Sequence, residues 1–208
     1  MSEGFADYHY GDANPGWAHA YLLPPVTDLI DRAARGKPTR IFEIGAGNGA
    51  TAAALAAQGH EVIGIEYSTL GIENANRSFP GLRIELGSAY DDLRARFGQF
   101  PVVLSIEVVE HLYYPRLFAQ RAFELLESRG TLILSTPFHG YWKNLALAVT
   151  GKLDAHFTVL WDGGHIKFWS IDTLRTLLAE VGFVDIEFVR VGRIKPFAKS
   201  MIAVATRP

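Results

Sequence analysis

The chain has no cysteine among its 208 residues, which excludes a disulfide framework and any thiolate metal site. It has no excess of either charge: 20 Lys and Arg stand against 22 Asp and Glu, for a net charge of -2. That balance provides no global pull toward nucleic acid or an anionic membrane. No apolar run approaches the ~18 residues that a membrane-spanning helix requires. The opening MSEGFADYHYGDANPG lacks the basic segment and apolar run of a secretory signal. Internal repeats and low-complexity linkers are also missing. These absences predict a cytoplasmic protein with no membrane partner, and they leave the oligomeric state open.

What remains is an ordinary globular composition, 49% hydrophobic and 20% charged, at a length that suits one domain over 1–208 with a sizeable core. An aperiodic arm leads to Pro24 and Pro25, which suit the first turn of a helix whose Val26, Leu29, Ile30 and Ala33 share one face and which Gly36 ends. The stretch 1–38 reads as this arm and a cap helix. Its aromatics, Tyr8, Tyr10, Trp17, His19 and Tyr21, pack on the surface or close over a ligand.

Apolar strands then alternate with helices. Strands are expected at Arg40–Ile44, Glu61–Ile65, Leu82–Leu86, Pro101–Ile106 and Thr131–Ser135. Helices are expected at Ala50–Ala57, Leu70–Phe79 and Pro115–Leu126. This alternation implies an α/β fold with a mostly parallel, doubly wound sheet covered on both faces. The segment 138–168 breaks the pattern as an insertion with its own helix at Trp142–Val149. A helix over Ile171–Val181, capped by Ser170, precedes strands Val184–Val191 and Met201–Thr206. With no helix between them, these two form an antiparallel hairpin at one edge of a seven-stranded sheet.

Phe42-Glu43-Ile44-Gly45-Ala46-Gly47-Asn48-Gly49-Ala50 lies between the first strand and its helix. Glycines there permit a sharp turn and close ligand approach, and the helix start offers unpaired N–H groups. Glu66 ends the second strand, where an acid binds ribose hydroxyls in nucleotide-binding α/β folds. Gly45, Gly47 and Ala50 also fit a dinucleotide loop, so a dehydrogenase is a rival. Glu43 before the loop, the C-terminal hairpin and the segment at 107–111 weigh against it.

This set of features resembles the class I S-adenosylmethionine-dependent methyltransferases, with their Rossmann-like fold, from about Arg40 to the C-terminus. The resemblance implies S-adenosylmethionine as cofactor. Glu43 and the loop of Gly45, Ala46, Gly47 and Gly49 would hold its methionyl end, and Glu66 its ribose. Ser88, Ala89 and Tyr90 would line the adenine, with Tyr67 and Ile106 also along the cofactor.

The most specific segment is Ser105-Ile106-Glu107-Val108-Val109-Glu110-His111-Leu112. A buried strand ends here in three polar groups, which share a face at i, i+3 and i+4 if the chain turns helical. Two carboxylates and an imidazole form a partial ligand set for a divalent ion. His165, in Gly163-Gly164-His165-Ile166-Lys167-Phe168, can fold back as a fourth ligand. This pairing resembles the O-methyltransferases of ubiquinone biosynthesis and the small-RNA 2′-O-methyltransferases. By that resemblance Glu107, Glu110, His111 and His165 would bind a metal such as Mg, Mn or Zn beside the acceptor hydroxyl. Methyl transfer needs a positioned, deprotonated nucleophile. Without a metal, His111 or His165 could serve as general base, so Glu107, His111 and His165 are the candidate catalytic residues.

The expected function is O-methylation of a small hydroxylated acceptor, phenolic or sugar-like, with 138–168 as a lid over it. His139 and Tyr141 are candidate pocket residues; His156, Phe157, Trp161 and Trp169 form either a substrate wall or the insertion's own core. The cluster Arg190, Arg193, Lys195 and Lys199 is a solvated edge or a phosphate contact. RNA 2′-O-methylation and a non-catalytic cofactor-binding module are the rival readings.

Overall fold

The computed structural model describes residue 16, residues 18–157 and residues 159–208; Tyr8, Tyr10 and Trp17 of the expected arm lie outside them. Helix α1 spans His19–Ala33 and contains both Pro24 and Pro25. It therefore starts a full turn earlier than the prolines suggest. Proline cannot donate a backbone N–H, so the carbonyls of Ala20 and Tyr21 forgo their usual partners. The helix holds because Leu22, Val26, Leu29 and Ile30 are buried.

The rest follows as β1 Arg40–Ile44, α2 Ala50–Ala56, β2 Glu61–Glu66, α3 Thr69–Ser78, β3 Arg83–Leu86, α4 Leu93–Phe97 and β4 Phe100–Ile106. Then come α5 Pro115–Leu125, β5 Leu126–Pro137, α6 Tyr141–Val149, α7 Leu153–Phe157, α8 Ile171–Val181, β6 Val184–Val191 and β7 Ser200–Thr206. Three caps are written in the sequence. Ser68 accepts from the N–H of Gly71 at α3, and Asp92 from that of Ala95 at α4. At α8, Ser170 and Thr173 form a reciprocal capping box, which satisfies two otherwise orphaned N–H groups.

The strands form one seven-stranded sheet in the order β3-β2-β1-β4-β5-β7-β6. Pairing is parallel from β3 through β5 and antiparallel for β5–β7 and β6–β7. The two edge strands expected as a simple hairpin thus include one, β7, that lies inside the sheet beside β5. Alternation of side chains across the pleat divides the core in two. Phe42, Val103, Leu132 and Leu134 pack toward α5 and α8. Ile41, Val102, Leu104 and Ile133 pack toward α1 and α2.

Strand order reverses between β1 and β4. Ligands of open α/β sheets bind at such a switch point, outside the carboxyl ends of the strands. The glycine loop leaves β1 there, and Glu107 follows β4 at the same end. Among the described residues, no helix is long and apolar enough to cross a membrane.

Candidate active site

The glycine loop is built for close approach. Gly45, Gly47 and Gly49 have φ of 78°, 56° and 80°, in the left-handed region that glycine tolerates and other residues resist. A Cβ on Gly45 would lie 2.5 Å from Val108 Cγ2, and one on Gly49 2.9 Å from Ala75 Cβ. The loop is tied down by Glu66, whose carboxylate accepts from the backbone N–H of Gly47 at 2.8 Å, Tyr67 at 2.9 Å and Ser68 at 2.8 Å. The acid expected at the ribose therefore also clamps β2 to the loop.

Glu43, in β1, is fully buried and its Oε2 has no hydrogen-bond partner among the described residues. Burial, and then the nearby Glu66 carboxylate, push its carboxyl up to about 8. An orphaned buried oxygen beside a glycine cradle calls for a cationic or N–H partner. The α-ammonium of S-adenosylmethionine fits that demand. At the expected adenine segment, Asp91 folds back so that its Oδ2 accepts from the N–H of Ser88 at 2.9 Å. Asp91 thus closes the turn that carries Ser88, Ala89 and Tyr90. Tyr90 lies against the core and stacks edge-on with Tyr114, while Tyr67 is exposed. Ile106 lines a small cleft with His19 and Leu22.

After β4 the chain does not enter an α-helix. Glu107 has φ 53°, and only Val109–His111 form a 3₁₀ turn. This corrects the expectation that Glu107, Glu110 and His111 share one helical face. The Ser135 hydroxyl stabilises the left-handed residue from both sides, accepting from the Glu107 N–H at 3.1 Å and donating to its Oε1 at 2.8 Å. Ser200, carried by β7, donates to Oε2 at 3.3 Å and meets the Tyr21 hydroxyl at 3.2 Å. Burial pushes Glu107 up to about 7, against the lowering effect of the two serine bonds.

Glu110, His111 and His165 do converge, each with a ligand atom within 4.8 Å of the others'. Glu110 is completely buried; Thr136 donates to its Oε2 at 3.1 Å, and Oε1 has no hydrogen-bond partner among the described residues. Burial and the neighbouring Glu107 hold its carboxyl well above the ordinary range. Its backbone oxygen accepts from both Ile166 and Lys167 at 2.9 Å, which fastens the His165 segment over the site. The rings of His111 and His165 are 4.9 Å apart, and burial lowers both, His165 to about 4. Both imidazoles are therefore neutral at neutral pH, the form a metal ligates. An orphan carboxylate oxygen and two neutral imidazoles suit a divalent ion such as Zn, Mn or Mg.

In the insertion, His139 is buried while Tyr141 is exposed. Trp169 is buried and Trp161 partly exposed, the latter edge-on to His111. From the basic cluster, Lys199 caps the Tyr21 ring and Arg190 the Phe138 ring, so two of the four sit on aromatics.

A glycine loop at the switch point, a buried acid at the end of β2 and an inserted antiparallel β7 define a Rossmann-like, S-adenosylmethionine-binding methyltransferase fold. The sequence matches the methyltransferase domain family over residues 17–187, and the chain belongs to that family. It is 30% identical over 155 residues to the ubiquinone biosynthesis O-methyltransferase of Azorhizobium caulinodans, covering 73% of this chain and 60% of that protein. The chain thus spans less than two thirds of that curated relative's length.

Solved structures share the fold at lower identity. A SAM-dependent methyltransferase of Thermotoga maritima, a possible histamine N-methyltransferase, superimposes with a TM-score of 0.66 at 18% identity, covering 89% of this chain and 87% of that one. The magnesium protoporphyrin IX methyltransferase of Synechocystis PCC 6803, with bound SAH, gives 0.64 at 18% identity over 89% and 82%.

Proposed function

We propose that this chain transfers the methyl group of S-adenosylmethionine to a hydroxyl oxygen of a small phenolic or sugar-like acceptor, with a divalent ion assisting. The observation that carries this reading is the convergence of Glu110, His111 and His165 within 4.8 Å at the strand end adjoining the glycine loop. The ubiquinone biosynthesis O-methyltransferases among its relatives support an oxygen acceptor.

In this reading the acceptor oxygen attacks the methyl carbon, the carbon–sulfur bond breaks, and its electron pair stays on sulfur to leave S-adenosylhomocysteine. The hydroxyl proton must leave as the new bond forms. Glu107, raised to about 7, is poised to accept it near neutral pH. Glu110, His111 and His165 would hold the ion, whose chemistry is to lower the hydroxyl pKa and fix its position. Glu43 and the loop would position the cofactor.

The test titrates Zn, Mn and Mg by calorimetry into protein saturated with S-adenosylhomocysteine, for wild type and His165→Ala, and follows methylation of catechol with labelled S-adenosylmethionine. Stoichiometric metal binding lost in the variant, with EDTA-sensitive catechol methylation, supports the proposal. Catechol methylation untouched by EDTA overturns the metal's part. Methylation of amines but of no hydroxyl overturns the oxygen acceptor.

A further inference from the structure

The acceptor side of the site holds a group of basic side chains that methyl transfer does not use. Lys143 on α6 is half-buried and donates to the Phe138 carbonyl at 2.8 Å. That bond occupies one of its three N–H donors. Among the described residues no carboxylate lies within 4.0 Å of Nζ. The residue after that carbonyl is His139, 7% exposed, whose Nδ1 has no hydrogen-bond partner among the described residues. Asn144 Oδ1, also buried, lies close enough to favour the protonated form of His139, but outside the geometry of a formed hydrogen bond.

The His156 ring lies 5.5 Å from that of His139. Phe157 stacks on His139 at 6.0 Å, and Phe168 meets it edge-on at 5.1 Å. Lys143 is close enough to His139, His156 and His165 to oppose protonation of each, and Arg193 opposes the charge on Lys143 itself. Among the described residues Glu107 is the one opposite charge felt by Lys143, and Glu107 is already bonded to two serines. Half-burying an ammonium among bases is costly without a counter-ion. Burial and then this crowding bring Lys143 down to about 8 and His139 to about 4.

An oxyanion reverses that cost. It would accept from the remaining Lys143 N–H groups and from an imidazole N–H, and the Asn144 amide can turn to donate as well. Phe157 and Phe168 supply apolar walls for the body of the molecule that carries it. We propose that Lys143, His139 and His156 form a subsite for an oxyanion of the acceptor, a carboxylate or a phosphate ester. The inference rests on the reading above in taking this region as the acceptor side. It narrows the acceptor to a hydroxylated molecule that bears an anionic group as well.

Binding tests this without methyl transfer. Benzoate, phenyl phosphate and the neutral benzyl alcohol are titrated by NMR into protein saturated with S-adenosylhomocysteine, in EDTA so that no metal recruits the anions. Wild type is expected to prefer one of the anions to benzyl alcohol by about tenfold, the scale of one charged hydrogen bond, and the tighter anion identifies carboxylate or phosphate. Lys143→Met should abolish the preference, while Lys152→Met, exposed after α6, should keep it. His156→Phe, at a half-buried ring, should weaken it and provides a second variant should Lys143→Met fold poorly.

Equal affinities in wild type, or equal losses in Lys143→Met and Lys152→Met, overturn the subsite. Catechol methylation without any anion preference overturns it alone. Anion preference in a protein that methylates no hydroxyl overturns the function proposed above and leaves the subsite standing.

Discussion

His111 Nδ1 lies 2.8 Å from the carbonyl oxygen of Gly163, fifty-two residues away in sequence. A carbonyl only accepts, so Nδ1 carries the proton and Nε2 keeps its lone pair. Nε2 is the nitrogen nearer Glu110, 3.9 Å from Oε1. This is the arrangement in which an outer hydrogen bond sets the tautomer of a ligating imidazole. Long-range ¹⁵N–¹H NMR of the metal-free protein at neutral pH should show His111 as the Nδ1–H tautomer. Zinc should then shift Nε2, and His111→Ala should lose zinc binding at least as fully as His165→Ala. A dominant Nε2–H tautomer would rule His111 out as the ligand described.

The buried carboxyls make the stability of the ligand-free protein fall with rising pH. Glu43 at about 8, Glu107 at about 7 and Glu110, also raised, hold protons in the folded state that the unfolded chain releases near about pH 4.3. Their contribution is complete below that unfolded value and is lost as pH rises through about 7 to 8. Urea midpoints should therefore decline from about pH 6.5 to about pH 8, above the range where His139 and His165, held near 4, contribute the opposite slope. Glu43→Gln should flatten part of that slope.

Cofactor binding should release a proton from Glu43, since a nearby ammonium favours the carboxylate. Calorimetry of S-adenosylhomocysteine near neutral pH, in two buffers of different ionisation enthalpy, should show that release. Glu43→Gln should remove it and weaken binding. An unchanged proton count in the variant would place the methionyl ammonium elsewhere.

Gly45→Ala combines a left-handed φ of 78° with a Cβ 2.5 Å from Val108. It should cost about 1–3 kcal/mol in urea unfolding and lower S-adenosylhomocysteine affinity by about tenfold or more. Gly151→Ala is the control: φ is 66° with open space around it, so only the milder backbone cost of about 1 kcal/mol applies. Equal cofactor losses in the two would mean that the close packing at Gly45 is irrelevant to binding.

Ser135→Ala removes a bond that lowers Glu107, so the acidic limb of the methylation pH profile should move upward. Ser200→Ala should act in the same direction. A limb that stays in place in both variants would remove Glu107 as the base.

Much of this protein was legible from local pattern. The alternating apolar segments predicted seven strands, and all seven pair in one sheet, because side-chain period follows directly from backbone geometry. The Ser170 cap and the glycine loop were legible for the same reason: a cap and a tight turn are decided within a few residues. Helix α4 was missed. At five residues it is too short to show a period, and its one signal was Asp92 at the cap.

The candidate site divides along the same line. Residue types and spacing placed Glu43, Glu66, Glu110, His111 and His165 at one end of the sheet. They could not separate Glu107 from Glu110 and His111, because that separation depends on a left-handed residue stabilised by Ser135 and Ser200 from other strands. Nor could they bring Asp91 back onto Ser88, or set Lys143 beside His139. The sequence by itself determined which chemical groups this protein has and the elements that carry them, since those follow from local propensity and period. Only the tertiary structure decided which of those groups meet, because φ beyond the common wells and contacts between distant strands are selected by packing of the whole chain.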